Sequence, residues 1–155
     1  MKPKILIFII TYKASHRVYD LYKKIKFNFL KKYNYSIYAS DDMSNDDTTE
    51  YLLKIKKNLG KKFILNVNKF NLGYGGNIKK CLNFAYKNKF DYVVMLHGDN
   101  QYNPKYIFNM IKLFLDNKKI AAVVGSRMTN KIDALKGGMP IYKFIGNFVL
   151  TTLFN

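Results

Sequence analysis

The chain has 155 residues, 48% of them apolar and 16% aromatic, enough for one domain with a real core and too few for two comfortable ones. Its net charge of +17, from 27 basic against 10 acidic residues, invites a nucleic-acid or anionic-membrane reading. Lysines are spread over every predicted helix, and Asn, Ile, Tyr and Phe are over-used with them, as an AT-rich coding sequence produces; nucleic acid is therefore not the expected partner, and acidic lipid headgroups or a phosphorylated substrate suit the positive field better.

No segment reaches the roughly 18 uninterrupted apolar residues of a spanning helix. The N-terminal "ILIFII" has six, no small-residue cleavage site follows it, and the C-terminal "MPIYKFIGNFVLTTLF" carries Lys143 and Asn147. The expectation is a cytoplasmic protein, with peripheral association at the inner face of the membrane. Cys81 is the sole cysteine, so no internal disulfide forms, and its setting in "IKKCLNFA" predicts a buried core thiol.

"KILIFII" (4 to 10) reads as a buried strand, and Val18, Leu21, Tyr22, Ile25 and Phe29 recur at helical spacing from Ser15 to Leu30. "YSIYA" (35 to 39) is a second strand, followed by a polar loop and a helix from Asp47 to Leu59 that Gly60 ends as a left-handed cap. "KFILNV" (62 to 67) is a third strand, and the Gly-rich "NKFNLGYGG" leads into a helix with Ile78, Cys81, Leu82 and Ala85 on one face. "YVVML" (92 to 96) is a fourth strand; Asn103 and Pro104 then read as the N-cap and first residue of a helix with Ile107, Met110, Ile111 and Phe114 inside. "IAAVVG" (120 to 125) reads as a fifth strand, and Ile141, Phe144, Ile145, Phe148 and Val149 recur at helical spacing near the C-terminus. Alternation of this kind predicts an α/β fold, a mostly parallel sheet with helices on both faces.

Thr11 and Tyr12, "SDDMSNDD", "NLGYGG", "HGDNQ" and "GSR" all fall at the carboxyl ends of predicted strands, the edge where open α/β sheets bind ligands. "NLGYGGNIKK" lacks the Walker spacing, and Ile78 stands where a dinucleotide fingerprint needs its third glycine. It remains a turn in which Gly73 and Gly75 let backbone approach a ligand, with Asn77 and Lys79 entering the next helix. "SDDMSNDD" holds four aspartates in seven residues. Asp47 or Thr48 is expected to cap the following helix, whereas Asp41 and Asp42 leave the strand end, where a carboxylate can accept from a base N–H or a ribose hydroxyl. In an extended "HGDNQ", His97, Asp99 and Gln101 would share one side, and an imidazole, a carboxylate and an amide make a partial shell for a divalent cation. His16, the other histidine, sits at the start of a polar helix face.

The ordered set "FIITYKA", "SDDMSNDDT", "NLGYGGN", "LHGDNQYNP", "VGSR" and "GGMPIYK" resembles glycosyltransferase family 2, the nucleotide-sugar transferases with a Rossmann-like GT-A fold, and especially its polyprenyl-phosphate-sugar synthase-like branch. The resemblance implies metal-assisted, inverting transfer from a nucleotide-diphosphate sugar to a lipid phosphate or glycan hydroxyl, as in cell-envelope polysaccharide biosynthesis. It further implies that Thr11 and Tyr12 border the nucleotide pocket, that Asp42 contacts base or ribose, and that Asp99 is the retained acid of a D-x-D element. Gln101 matches an amide that assists the metal, Arg127 an arginine facing the donor phosphates, and Lys143 a position near a second phosphate-directed arginine. His97 stands for the first D-x-D aspartate, so Mn²⁺ is expected in preference to Mg²⁺, and Met43 stands for a common glycine. Family members continue with an acceptor-side segment, so 1–155 is expected to be a single donor-binding domain, incomplete at the C-terminus, whose last helix needs a partner or a membrane surface.

Overall fold

Strand β1, Lys4–Thr11, sends Ile5, Ile7 and Ile9 to one face and Leu6 and Phe8 to the other, and all five are no more than 1% exposed. A strand buried on both faces has no solvent side, which is why its sequence runs apolar without alternation. The computed structural model describes residues 2–125 and 140–154, in two units, Met1–Lys119 and Ile120–Asn155, each of which is described by itself.

In the first unit β1 is followed by α1 (His16–Lys24), α2 (Phe27–Leu30), β2 (Asn34–Asp41), α3 (Thr48–Leu59), β3 (Phe63–Val67), α4 (Gly73–Lys87), β4 (Tyr92–His97) and α5 (Ile107–Asp116). All strand pairs are parallel, in the order β3-β2-β1-β4. One face is covered by α1, α2, α3 and α5, through Val18, Leu21, Leu30, Leu52, Ile55, Ile107 and Ile111. The other is covered by α4, where Cys81 and Ala85 meet Leu6, Phe8 and Tyr38, and Tyr38 stacks on Phe84 at 4.4 Å. Each such large apolar side chain contributes about 1.5 to 3 kcal/mol by leaving water.

Several local expectations are corrected. The helix predicted over 15–30 breaks at Ile25, whose extended backbone (φ −70°, ψ 123°) still buries its side chain and lets Phe27 turn against Tyr22 at 5.4 Å. Leu82 is 51% exposed, and Asn77 takes the inward position one turn before Cys81. The start of α3 is bonded by neither predicted side chain: Asp46 Oδ1 accepts from the Thr48 amide, while the Thr48 hydroxyl accepts from the amides of Ala14 and Ser15, both at 2.8 Å. Gly60 does end α3 with positive φ, but its φ 57° and ψ −132° lie outside the left-handed helical region predicted for the cap, whereas Asn103 does bond the Lys105 amide ahead of α5.

In the second unit Ile120–Gly125 has no regular structure, so the predicted fifth strand is corrected to coil. Val124 is 87% exposed, and β4 has β1 as its one strand neighbour among the described residues. A short apolar run does not encode a ladder partner. Helix α6 (Ile141–Phe154) forms as predicted, with Ile141, Ile145, Phe148 and Val149 exposed. No helix among the described residues is long and apolar enough to cross a membrane.

Candidate donor site at the β1/β4 switch point

The chain adds β2 and then β3 on one side of β1 and returns to add β4 on the other, so the connection reverses between β1 and β4. At such a reversal neighbouring loops diverge and leave a crevice above the strand ends. The strand ends are level: Thr11 pairs Asp41, Asp41 pairs Val67, and Ile10 pairs His97. Pairing runs on past them, with Asp42 N on Thr11 O at 2.9 Å, Asn68 N on Asp41 O at 2.8 Å and Gly98 N on Ile10 O at 2.8 Å. Gly98 is required at this close approach, because a Cβ there would run into the Thr11 side chain and the Ile10 carbonyl.

The crevice is a cleft of about 350 Å³, bordered by Ile10, Thr11, Tyr12, Asp42, Asn71, Gly73, Tyr74, Asn77, His97, Gly98 and Asp99. Of the sequence-predicted residues it therefore gathers Thr11, Tyr12, Asp42, Gly73, Asn77, His97 and Asp99, and it is not bordered by Asp41, Gly75, Lys79 or Gln101. Arg127 lies outside the described residues, and Lys143 is exposed on α6 in the second unit.

Asp41 is fully buried and turned inward. Its Oδ1 accepts from the hydroxyls of Thr11 (3.0 Å) and Ser44 (2.6 Å), and its Oδ2 accepts from the Ser44 amide (2.9 Å). This carboxylate ties the β1 and β2 ends together. Asp42, one residue on, borders the cleft; its Oδ1 accepts from Asn68 Nδ2 and from the Leu72 amide, each at 2.8 Å. Asn77 Nδ2 donates to Ser40 O at 3.1 Å, so this buried amide pins α4 to β2. Met43, where the resemblance expects glycine, has φ 62°, the left-handed region that glycine occupies without strain.

Beyond His97 the chain does not stay extended. Asn100 has φ 62° and the Gln101 amide bonds Asp99 Oδ1 at 3.0 Å, a tight turn that cancels the every-second-residue alignment predicted for His97, Asp99 and Gln101. His97 and Asp99 still open on the same cleft. The His97 ring lies against Tyr102 (4.8 Å, edge-on), and its Nε2 is 3.3 Å from the Tyr74 hydroxyl, which reaches over from the first turn of α4. Nothing in the sequence marks Tyr74, Asn71 and Asn68, because amides and aromatics are common in this chain, and Ser44 and Gly98 gain their meaning only once Asp41 and Thr11 are placed beside them.

The described lining holds two carboxylates and one imidazole but neither Lys nor Arg, in a chain of net charge +17. An anionic ligand entering here needs a positive charge between itself and those carboxylates. Among the described residues no three His, Cys, Asp or Glu gather as a closed metal site. His97 and Asp99 instead fit an open one, in which a divalent cation would take its other ligands from phosphate oxygens and water. A second cleft, about 340 Å³ between α2 and the start of α5, has no carboxylate or histidine in its lining.

Over residues 6–152 the sequence matches glycosyl transferase family 2. The chain belongs to this family. It is 32% identical over 132 residues to an uncharacterized protein of Methanocaldococcus jannaschii, a match covering 80% of this chain and 52% of that protein. The chain thus spans about half the length of that curated relative. It is also similar to the crystal structure of S. aureus TarS 1–349 in complex with UDP-GlcNAc, with TM-score 0.57 and 17% identity, covering 82% of this chain and 38% of that one. For the complex of the same protein with UDP the TM-score is 0.55 at 17% identity, covering 82% and 39%. Similarity at this level shows the fold, the GT-A type of this glycosyltransferase family, with its parallel sheet and helices on both faces.

Proposed function

We propose that this family 2 chain binds a nucleotide-diphosphate sugar in the β1/β4 cleft and forms the donor side of an inverting transfer to a polyprenyl phosphate or a glycan hydroxyl. The observation that carries this reading is the convergence of Asp42, from the end of β2, and the His97–Asp99 pair, from the end of β4, on one cleft at the switch point. The UDP and UDP-GlcNAc complexes of the similar fold support a donor of this class.

Asp42 offers a carboxylate oxygen to base or ribose, Thr11 and Tyr12 form the β1 wall, and the backbone around Gly73 approaches the diphosphate. His97 and Asp99 hold a divalent cation, Mn²⁺ in preference to Mg²⁺ because one ligand is an imidazole. Such a cation, when bound, neutralises charge that builds on the departing diphosphate. By the family resemblance, Arg127 and Lys143 are the protein's own cations assigned to the same charge. The acceptor oxygen bonds to the anomeric carbon as the bond from that carbon to the diphosphate oxygen breaks, and the electron pair leaves with the nucleoside diphosphate. A phosphate acceptor is already ionised and needs no base; a glycan hydroxyl would also have to pass its proton to a general base, which family members carry in their acceptor-side segment. With a lipid-phosphate acceptor, the reaction would run at the cytoplasmic face of a membrane, where the chain's positive charge suits acidic headgroups.

A second reading, a donor-binding module without turnover that docks through α6, is favoured by one observation: Ile141, Tyr142 and Leu153 are each more than 70% exposed. The two share a first test. Thermal melts with UDP, GDP, CDP and dTDP, each with Mn²⁺, Mg²⁺ or EDTA, register binding to the native state without knowledge of the acceptor. A metal-dependent rise with one nucleotide supports a donor site; a cooperative melt that no nucleotide moves removes it. Nucleoside diphosphate release that depends on acceptor then separates enzyme from module.

A further inference from the structure

We infer that Lys80 is a positioning residue for the donor pocket, acting through Asn68 to fix which edge of Asp42 meets the nucleoside; the inference rests on the donor reading above. Lys80 does not border the cleft. It lies half-buried on α4, and its Nζ donates to Asn68 Oδ1 at 2.6 Å. Asn66 Nδ2 donates to the same oxygen at 2.8 Å. An asparagine amide can be turned either way round, and its neighbours decide which. A lysine has donors and no acceptor, so Lys80 admits only the orientation with the Asn68 oxygen toward it. The Asn68 amide nitrogen is thereby turned to Asp42, where it donates to Oδ1 at 2.8 Å. The reversed amide would set its oxygen against the carboxylate.

The Leu72 amide also donates to Asp42 Oδ1, at 2.8 Å, so that oxygen carries two donors. Asp42 Oδ2 has no hydrogen bond within the described residues, and Asp42, though only 3% exposed, borders the cleft, so Oδ2 is the carboxylate oxygen left for a ligand there. The Asn71 side chain is engaged elsewhere among the described residues: its amide nitrogen donates to the Asp42 carbonyl (3.2 Å) and its oxygen accepts from the Gly73 amide (2.9 Å). What the relay presents to the pocket is one acceptor-only edge, which selects a base whose facing ring nitrogen carries a proton and disfavours a base with a bare ring nitrogen there.

The test is titration of the full chain with UDP, whose ring imide carries N–H, and with CDP, whose corresponding nitrogen is bare, for wild type, Lys80→Met and Lys80→Arg. The wild type is expected to favour UDP. Lys80→Met keeps the apolar stem and should weaken UDP about tenfold while changing CDP less than about twofold, the range for one charge-assisted hydrogen bond. Lys80→Arg should restore most of the preference, which a merely structural role would not require. NMR exchange protection of the Asn68 side-chain amide supplies a readout independent of nucleotide, and it should fall in Lys80→Met. Unchanged protection overturns the relay by itself. Equal weakening of UDP and CDP overturns the selectivity. A wild type that binds neither nucleotide, with protection still dependent on Lys80, overturns the donor reading and the selectivity role with it.

Discussion

Replacing Gly98 by alanine should damage the site through packing alone. The new Cβ would fall inside the contact distance of Thr11 Cγ2, with Thr11 Cβ at 3.3 Å and the Ile10 carbonyl oxygen at 3.1 Å. Neither neighbour is free to yield. The Ile10 carbonyl already accepts from the Gly98 amide, and rotating Thr11 would pull its hydroxyl off Asp41 Oδ1 and Ser40 O, bonds of 3.0 and 3.3 Å in a residue 1% exposed. Overpacking of this kind costs about 1 to 3 kcal/mol, or roughly 2 to 12 °C in melting temperature for a chain of this length. Urea denaturation and thermal melts of Gly98→Ala, Thr11→Ser and the double variant test the cause. Thr11→Ser removes the offending methyl and keeps the hydroxyl, at a cost of about 1 kcal/mol. The double variant should recover at least half of the Gly98→Ala loss, a coupling above about 0.5 kcal/mol. Strict additivity would refute the clash as the reason for glycine.

Thr48→Val should lower stability by about 2 to 4 kcal/mol, seen as a lower urea midpoint, because the Ala14 and Ser15 amides lose their shared acceptor in a residue that is 0% exposed; an unchanged midpoint counts against that role. Met43→Gly, at φ 62° and half-exposed, should raise stability by up to about 1 kcal/mol, and any loss would refute strain at that turn. Burial pushes the Cys81 thiol up from 9.0 to about 12, so it should resist thiol reagents at pH 8 until the chain is unfolded. The raised value means the folded state holds that proton more tightly. Its stabilisation is full below about pH 9 and is lost as pH climbs toward 12, so Cys81→Ala should show a shallower alkaline loss of stability than the wild type. His97→Ala should abolish the metal-dependent part of the nucleotide-induced melting shift and keep the metal-free part; equal responses to Mn²⁺ and Mg²⁺ in the wild type would refute imidazole coordination.

The four strands were legible because a strand buried on both faces must be apolar throughout, and the helices because one covered face imposes a 3.6-residue period. The same signal misled at Ile120–Gly125, where an apolar run has no ladder partner among the described residues, and at Ile25, where a core residue sits in extended backbone between two helices. In the site, the cluster at the strand ends was legible as a place. Its internal division of labour was not: Asp41 and Asp42 are adjacent and chemically alike, yet one ties β1 to β2 and the other faces the cleft. The loop pattern points to Lys79, while its neighbour Lys80 holds Asn68.

By itself, the sequence determined the order of strands and helices, the edge on which polar residues collect and the family to which the chain belongs. These depend on run length, period and motif order, which are local or additive along the chain. Only the tertiary structure decided which carboxylate borders the cleft, that His97 meets Tyr74, that the turn at Asn100 breaks the predicted alignment of Gln101 with His97 and Asp99, and that Gly98 has no room for a side chain. Each of those outcomes turns on backbone geometry or on partners about 20 to 90 positions apart in sequence, brought within hydrogen-bond or contact distance by parallel pairing and α4 packing. A hydrogen bond selects among chemically equivalent atoms only once its partner has arrived.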